Sequence, residues 1–325
     1  MRSVQTQSRF PLSAVKPFDR LVEYRKACLS RTRQAFSGPV AQRARCPEGH
    51  ASLEPFGEVE GIAYMRCAET GSFSLAGFPD WEKWASLLEE MGRYRQSPEA
   101  FHSGLTQSRA ENVYLPKLEW IEESLRLQGI RSATVLEVSS PPMAFGEFLK
   151  ARGSFAEVIP VNEMRLAHLR EVPPDLKNRK AQAALLLESL DRVDDPGALL
   201  KAAGSHVAEG GLLFVTALVA SGFDIAVLGL RNLYLCPPDR ANCFTLQGLK
   251  GLLEQHGFEL IEVSTPGVLD LEIVASHLKA DPSIPLTVFE RQLIASGPET
   301  RSAFQAFLQE NGLSSFARLV GKKKG

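Results

Sequence analysis

The sequence predicts an α/β fold in which a mostly parallel, open sheet is covered by helices on both faces, and three observations carry that prediction. From Ser132 onward, short continuous apolar runs alternate with amphipathic stretches, which is how strands buried on both faces and their crossover helices read. The runs are rich in Val, Leu and Ala, as at Val135-Leu136 and Leu185-Leu186-Leu187. With 325 residues, 44% of them apolar and 23% charged, the chain can bury a full core.

Taken in order, residues 1–17 are polar with Pro11 and Pro17 and read as a mobile lead-in. Asp19 reads as an N-cap, after which Leu21, Tyr24, Cys28 and Leu29 recur at helical spacing until Ser37-Gly38-Pro39 stops the run. The helix is basic: Arg20, Arg25, Lys26, Arg31 and Arg33, with Arg43 and Arg45 beyond it, face only Asp19 and Glu23. Such a face is either solvated or a docking surface for an acidic partner. Residues 1–45 thus form one unit. In 46–79, Gly49, Gly57, Gly61, Gly71 and Gly77 separate short apolar runs, which predicts a small β element. Residues 80–130 read as a helical linker, with apolar stripes at Trp81, Trp84, Leu87, Leu88 and Met91 and again at Leu118, Ile121 and Leu125.

The main unit spans 131–325. Its expected strands are 134–138, 157–161, 183–187, 212–217 and 259–264, and its expected helices 145–152, 163–170, 196–206 and 246–256, the last stopped by Gly257. Residues 265–313 are too long for a structureless loop and place Leu269, Ile273 and Leu278 at helical spacing, so a helical insertion is expected there. The run 314–320 returns as an antiparallel strand.

A formal net charge of −1 selects neither nucleic acid nor an anionic membrane as partner. No apolar run approaches the ~20 residues of a spanning helix, and residues 1–10 lack the apolar stretch of a secretory signal, so a cytoplasmic location without membrane insertion is expected. Cys28, Cys46, Cys67, Cys236 and Cys243 are scattered and odd in number, which points to reduced thiols. His102, His168, His206, His256 and His277 are dispersed with no metal-ligand spacing between them.

Several segments together carry a family resemblance. Val135-Leu136-Glu137-Val138 stands as a first strand, and Leu187-Glu188 through Asp195-Pro196 follows a fourth. Glu209-Gly210-Gly211 turns into a fifth, with Pro237-Pro238, Asn242, Phe244-Thr245, Gly257-Phe258, Thr265-Pro266-Gly267 and Leu269-Asp270 beyond it. In order and spacing these resemble the class I S-adenosylmethionine-dependent methyltransferases, and more closely a bacterial branch with an amino-terminal zinc ribbon, over about residues 46–321. The resemblance implies a Rossmann-like seven-stranded sheet. It implies an S-adenosylmethionine site at Glu137, Ser139, Ser140, Glu163 and Glu188, and relatives that act on sugars or glycan precursors.

The chain departs from that pattern at three places. The glycine-rich turn that lets backbone approach the cofactor reads Ser139-Ser140-Pro141-Pro142-Met143-Ala144-Phe145, with two fixed φ angles, two lost donors and added bulk at Met143 and Phe145. Gly146 comes too late to substitute. Glu163 is retained where the family places an acid against the ribose, although a first-turn helix acid reads the same way. The histidines expected after the fourth strand and in the Pro-Pro segment are Arg192 and Arg240. Arginine does not accept a proton near neutral pH, so these serve as phosphate or carboxylate partners or as surface or structural arginines. In the ribbon, the second cysteine of each knuckle is Gly49 or Thr70, leaving Cys46, His50 and Cys67 as three ligands without a fourth. A ribbon held by packing without zinc is expected.

Sheet-forming runs kept intact around altered chemistry-bearing positions predict a methyltransferase-like protein with little or no methyl transfer. It would act as a partner or scaffold of another protein, either an active methyltransferase or a second copy of itself. The alternatives are an active methyltransferase with an atypical loop, and a module that binds a nucleotide or phosphorylated ligand with Glu163, Arg192 and Arg240.

Overall fold

The computed structural model describes residues 12–15, 17–97, 105–141 and 144–325. Of the expected lead-in, residues 12–15 form a short 3-10 turn in which Leu12 and Val15 are buried, so this part belongs to the core. Helix α1 (Phe18–Ala35) starts one residue before the expected cap, with Pro17 as N-cap. Its apolar side, Leu21, Tyr24, Cys28 and Leu29, is buried against its own chain. Arg25 donates to the carbonyls of Asn232 and Leu235, while Arg31 and Arg33 pair with Glu90 and Glu60. Arg20, Lys26, Arg33 and Arg45 are exposed, while Arg25, Arg31 and Arg43 are half-buried.

The small β element consists of β1 (Ala41–Gln42), β2 (Leu53–Val59), β3 (Ile62–Cys67), β4 (Phe73–Leu75) and β5 (Gly77–Phe78). Strands β2, β3 and β4 form an antiparallel meander, and β1 pairs with β5. Helix α2 (Trp81–Gln96) follows, capped by the Asp80 side chain on the amide of Glu82. Helix α3 (Thr106–Arg109) runs through a π-helical turn into α4 (Leu115–Leu127).

The main unit alternates as expected: β6 (Thr134–Ser139), α5 (Ala144–Arg152), β7 (Glu157–Asn162), α6 (Glu163–Leu169), β8 (Ala181–Leu187), α7 (Pro196–His206) and β9 (Val207–Leu218). Then come α8 (Phe223–Leu228), β10 (Asn242–Cys243), α9 (Leu246–Gln255) and β11 (Phe258–Ser264). Helices α10 (Asp270–Ala280), α11 (Val288–Ala295) and α12 (Pro298–Glu310) fill the segment expected to be helical, and β12 (Phe316–Lys323) closes the chain.

The sheet order is β11-β12-β9-β8-β6-β7, parallel from β7 to β9, with β12 antiparallel between β9 and β11. Helices α4 and α5 cover one face through Leu118, Trp120, Ile121 and Leu149. The other face lies under α1, α2, α6, α7 and α9. This is a Rossmann-like arrangement, but with six strands among the described residues rather than the seven expected. After α6 the chain reads Val172-Pro173-Pro174, and a short 3-10 turn (Pro174–Leu176) occupies the stretch before β8. Pro173 and Pro174 offer no backbone donors there, and β7 is left as the edge of the sheet. A second departure from expectation is β10, which leaves the main unit to pair with β4, so the β element is extended by the domain it precedes.

Candidate functional site

At the carboxyl ends of β6, β7 and β8, where open α/β sheets bind ligands, the structure gathers most of the charged residues that the sequence singles out. Strand β6 delivers Glu137, Ser139 and Ser140. The Glu137 carboxyl is buried, accepts a hydrogen bond from Ser139 Oγ at 3.1 Å, and lies so close to α5 that a Cβ on Gly146 would meet Glu137 Oε2 at 3.2 Å. Gly146 thus makes room for an acid beneath the helix and does not line the turn. Burial pushes the Glu137 carboxyl up to about 7, with the nearby Glu163 adding to the effect.

Glu163 occupies the first turn of α6, whose N-cap is the Asn162 side chain, accepting from the amides of Met164 and Arg165. It is fully buried, and each of its oxygens accepts at least one hydrogen bond. Arg192 Nε and Nη2 donate to Oε1 and Oε2, each at 3.2 Å, and Ser140 Oγ donates to Oε1 at 2.7 Å. Arg192 is held in turn by the Trp84 indole, which donates to its carbonyl at 2.8 Å. A two-point guanidinium–carboxylate pair in a buried place is among the stronger polar contacts a protein makes.

The loop after β8 brings Glu188, at φ 64°, and Asp191 together with Arg240 from the loop before β10. Arg240 Nη2 donates to Glu188 Oε2 at 2.6 Å, and its Nη1 lies 3.4 Å from Asp191 Oδ2. Asp191 Oδ2 also accepts the Leu218 amide, whereas Asp191 Oδ1 is buried without a partner. Burial drives the Asp191 carboxyl up to about 7 against the pull of Arg240. Neither arginine is a surface group: each is committed to a carboxylate inside the cleft.

Sequence reasoning missed several members of this network. Asp239 accepts from Tyr24 Oη at 2.6 Å and pairs with Arg95. Burial alone would raise the Asp239 carboxyl, but Arg95, Arg240 and the tyrosine bond outweigh it and hold it below the ordinary value. Lys117 Nζ approaches Glu188 Oε1 at 3.5 Å. Three unlike segments, α1, α2 and α4, therefore close over the cleft with Tyr24, Arg95 and Lys117.

The turn itself is described only in part, since Pro142 and Met143 lie outside the described residues, as does His102. Phe145 is placed on α5, where its ring packs with Tyr114 and Phe148. Its bulk goes into helix packing.

The knuckles of the β element keep their backbone turns. The amide of His50 donates to Cys46 Sγ at 3.2 Å, and Gly49 and Gly71 donate to the carbonyls of Cys46 and Cys67. Burial, with Glu48 beside it, pushes the Cys46 thiol up to about 12. Thr70 Oγ1, where a knuckle cysteine would stand, donates to Glu48 Oε1 at 3.2 Å and so links the two turns. His50 does not join the thiols as the expected three-ligand set requires: its Nδ1 lies 2.5 Å from Glu69 Oε2. Among the described residues no group of three or more His, Cys, Asp or Glu is placed to hold a metal ion.

Residues 105–263 match the family model of a methyltransferase domain. This part of the chain is methyltransferase-like. The chain is similar to an S-adenosylmethionine-dependent methyltransferase from Thermotoga maritima, with 17% identity, coverage of 75% of this chain and 100% of that one, and a TM-score of 0.41. A second similar structure is an S-adenosylmethionine-dependent methyltransferase from Mesorhizobium loti, with 14% identity, coverage of 66% and 99%, and a TM-score of 0.38. No curated protein matches the chain. Among the described residues no helix is long and apolar enough to cross a membrane.

The ligand that the methyltransferase-like domain suggests is S-adenosylmethionine, and the residues present can be tested against it. A ribose diol needs access to the Glu163 oxygens, and that carboxylate is fully buried, with Arg192 and Ser140 packed on it as donors. The glycines that would admit the methionine part are replaced in the turn by Ser139, Ser140 and Pro141. In this arrangement the residues do not fit the cofactor.

Proposed function

We propose that this methyltransferase-like chain has impaired or absent S-adenosylmethionine-dependent methyl transfer. In that reading it acts as a partner or scaffold of another protein, either an active methyltransferase of glycan or sugar-nucleotide metabolism or a second copy of itself. The observation that carries the reading is the closure of Glu163 by Arg192: the acid best placed for a ribose is spent on an internal ion pair. The two positions where the family has histidine add support, because Arg192 and Arg240 are both tied to carboxylates and neither can take a proton from an acceptor.

Calorimetric titration with S-adenosylmethionine and S-adenosylhomocysteine is expected to give no saturable heat. Micromolar affinity for either would overturn the reading in favour of an active enzyme with an atypical loop. Purification from the native host is expected to bring down a second chain, and an isolated monomer would count against the partner role.

For the β element the same reading makes the Glu48–Thr70 bond and the packing around Cys46 and Cys67 the substitute for a metal. Elemental analysis of the purified protein is expected to find zinc well below one per chain, and chelator is expected to leave Tm unchanged. One zinc per chain, or a fall in Tm on chelation, would refute the substitution.

A further inference from the structure

A polar row on the α4 face of the sheet belongs to none of these pairs. The strand register sets Leu187 of β8, Thr216 of β9, Arg318 of β12 and Ser264 of β11 side by side. Thr216 Oγ1, Arg318 Nε and Ser264 Oγ are all buried, and all three lack a hydrogen-bond partner. The residues are 0%, 8% and 4% exposed, so solvent does not satisfy those atoms. Single buried polar atoms without partners are uncommon, and three in consecutive register positions call for an occupant.

The surroundings define its charge. Arg318 stacks under Trp120, 5.2 Å from guanidinium carbon to ring centroid, and Lys117 and Arg318 flank the Phe316 ring at 6.0 and 5.9 Å. Arg109, over the Tyr114 ring, is a third cation nearby. Two acids face the group and each has another donor: Glu262, which acts on Arg318, accepts from the Trp120 indole at 2.7 Å, and Glu188, 3.5 Å from Lys117, is held by Arg240 at 2.6 Å. Burial lowers both cations, Arg318 to about 10; Glu188 opposes the effect at Lys117 and Glu262 at Arg318, and neither acid outweighs it. Guanidinium, ammonium and two hydroxyls can all donate to one group that only accepts.

We propose that Thr216, Arg318 and Ser264, with Lys117 beside them, form a binding site for a small oxyanion, the carboxylate or phosphate group of a ligand. The row adjoins the ends of β8 and β9, next to the cleft but without Glu163 or Arg192. The site therefore stands whether or not the chain binds S-adenosylmethionine.

The full chain is to be titrated with inorganic phosphate and, separately, with malonate at constant ionic strength, with chloride as control, reading heat and thermal shift. Saturable binding of one of them is expected, with phosphate preferred if the ligand is phosphorylated and malonate if it is a carboxylic acid. Thr216→Val keeps shape and removes only a hydroxyl, and Lys117→Met removes the outer cation together with its contact to Glu188, which Arg240 still holds; each is expected to weaken binding about tenfold or more. Thermal denaturation of the free variants is expected to stay close to that of the parent, which separates lost binding from lost folding. No saturation by either probe, or unchanged affinity in both variants, would overturn the site and leave buried water as the occupant. Neither result moves the cofactor titration, so the two readings fail separately.

Discussion

Replacing Arg192 with Met is expected to cost about 3–5 kcal/mol of folding stability, a fall of roughly 5–15 °C in Tm. The substitution leaves the Glu163 carboxylate fully buried, with Ser140 as its remaining hydrogen-bond donor. The loop itself is not undone, because Trp84 bonds the backbone carbonyl of residue 192, which any side chain retains. The double variant Glu163→Leu with Arg192→Met is expected to recover most of the loss, since two apolar groups of similar volume replace a buried pair at little cost. Urea denaturation of the parent, both single variants and the double variant closes the cycle. A single arginine variant as stable as the parent would show that the pair is not the lock described.

The same magnitudes decide between ribose and arginine as occupant. A neutral diol offers two hydrogen bonds worth about 0.5–1.5 kcal/mol each net. Displacing Arg192 strands a buried guanidinium as well as reorganising Ser140, and leaving one such charge uncompensated costs about 3–5 kcal/mol. A ligand that enters must therefore bring a charge for Arg192, and a ribose brings none.

How far this was readable in sequence depended on the range of the forces involved. Strand β8 was legible because Ala183-Ala184-Leu185-Leu186-Leu187 is a continuous apolar run, and α9 because Thr245 caps it and Gly257 follows it. The seventh strand rested on the resemblance alone, with no apolar run of its own, and the stretch between α6 and β8 holds a short 3-10 turn instead. Strand β10 was illegible: it has two residues, and its partner β4 lies in the amino-terminal element. Residue types at the site were legible, and Glu163, Arg192, Glu188 and Arg240 all reach the cleft. Their pairing was not, because no spacing rule joins the start of α6 to a loop after β8. Arg95, Asp239 and Tyr24 converge from α2, the Pro-Pro loop and α1, which local patterns cannot bring together. Arg318 did leave a signal, an arginine among Ala317, Leu319 and Val320 in a strand that lies inside the sheet.

Stability is expected to fall as pH rises from about 5 to 8, and Glu137 and Asp191 to cause much of the fall. Burial raises both carboxyls to about 7 in the folded chain, Glu163 adding to the effect at Glu137 and Arg240 opposing it at Asp191. Their folded values stand above the unfolded range near 4. Between the two, folding takes up a proton, so the stabilisation is present at the acid end and is lost as pH climbs through 7. Each group contributes on the order of 3 kcal/mol when the whole window is crossed. Other groups titrate in the same window. His168, raised by its bond to Asp194, acts in the same sense, while His206 and His277, lowered by burial, act in the opposite one. A variant that removes one carboxyl isolates its share, because the histidine contributions cancel in the difference. Glu137→Gln is expected to match the parent near pH 5 and to exceed it by about 1–3 kcal/mol at pH 8, where the parent buries a charge that glutamine does not. Urea midpoints of parent and variant at pH 5, 6.5 and 8 test this, and a pH-independent difference between them would mean that the Glu137 carboxyl is already ionised throughout.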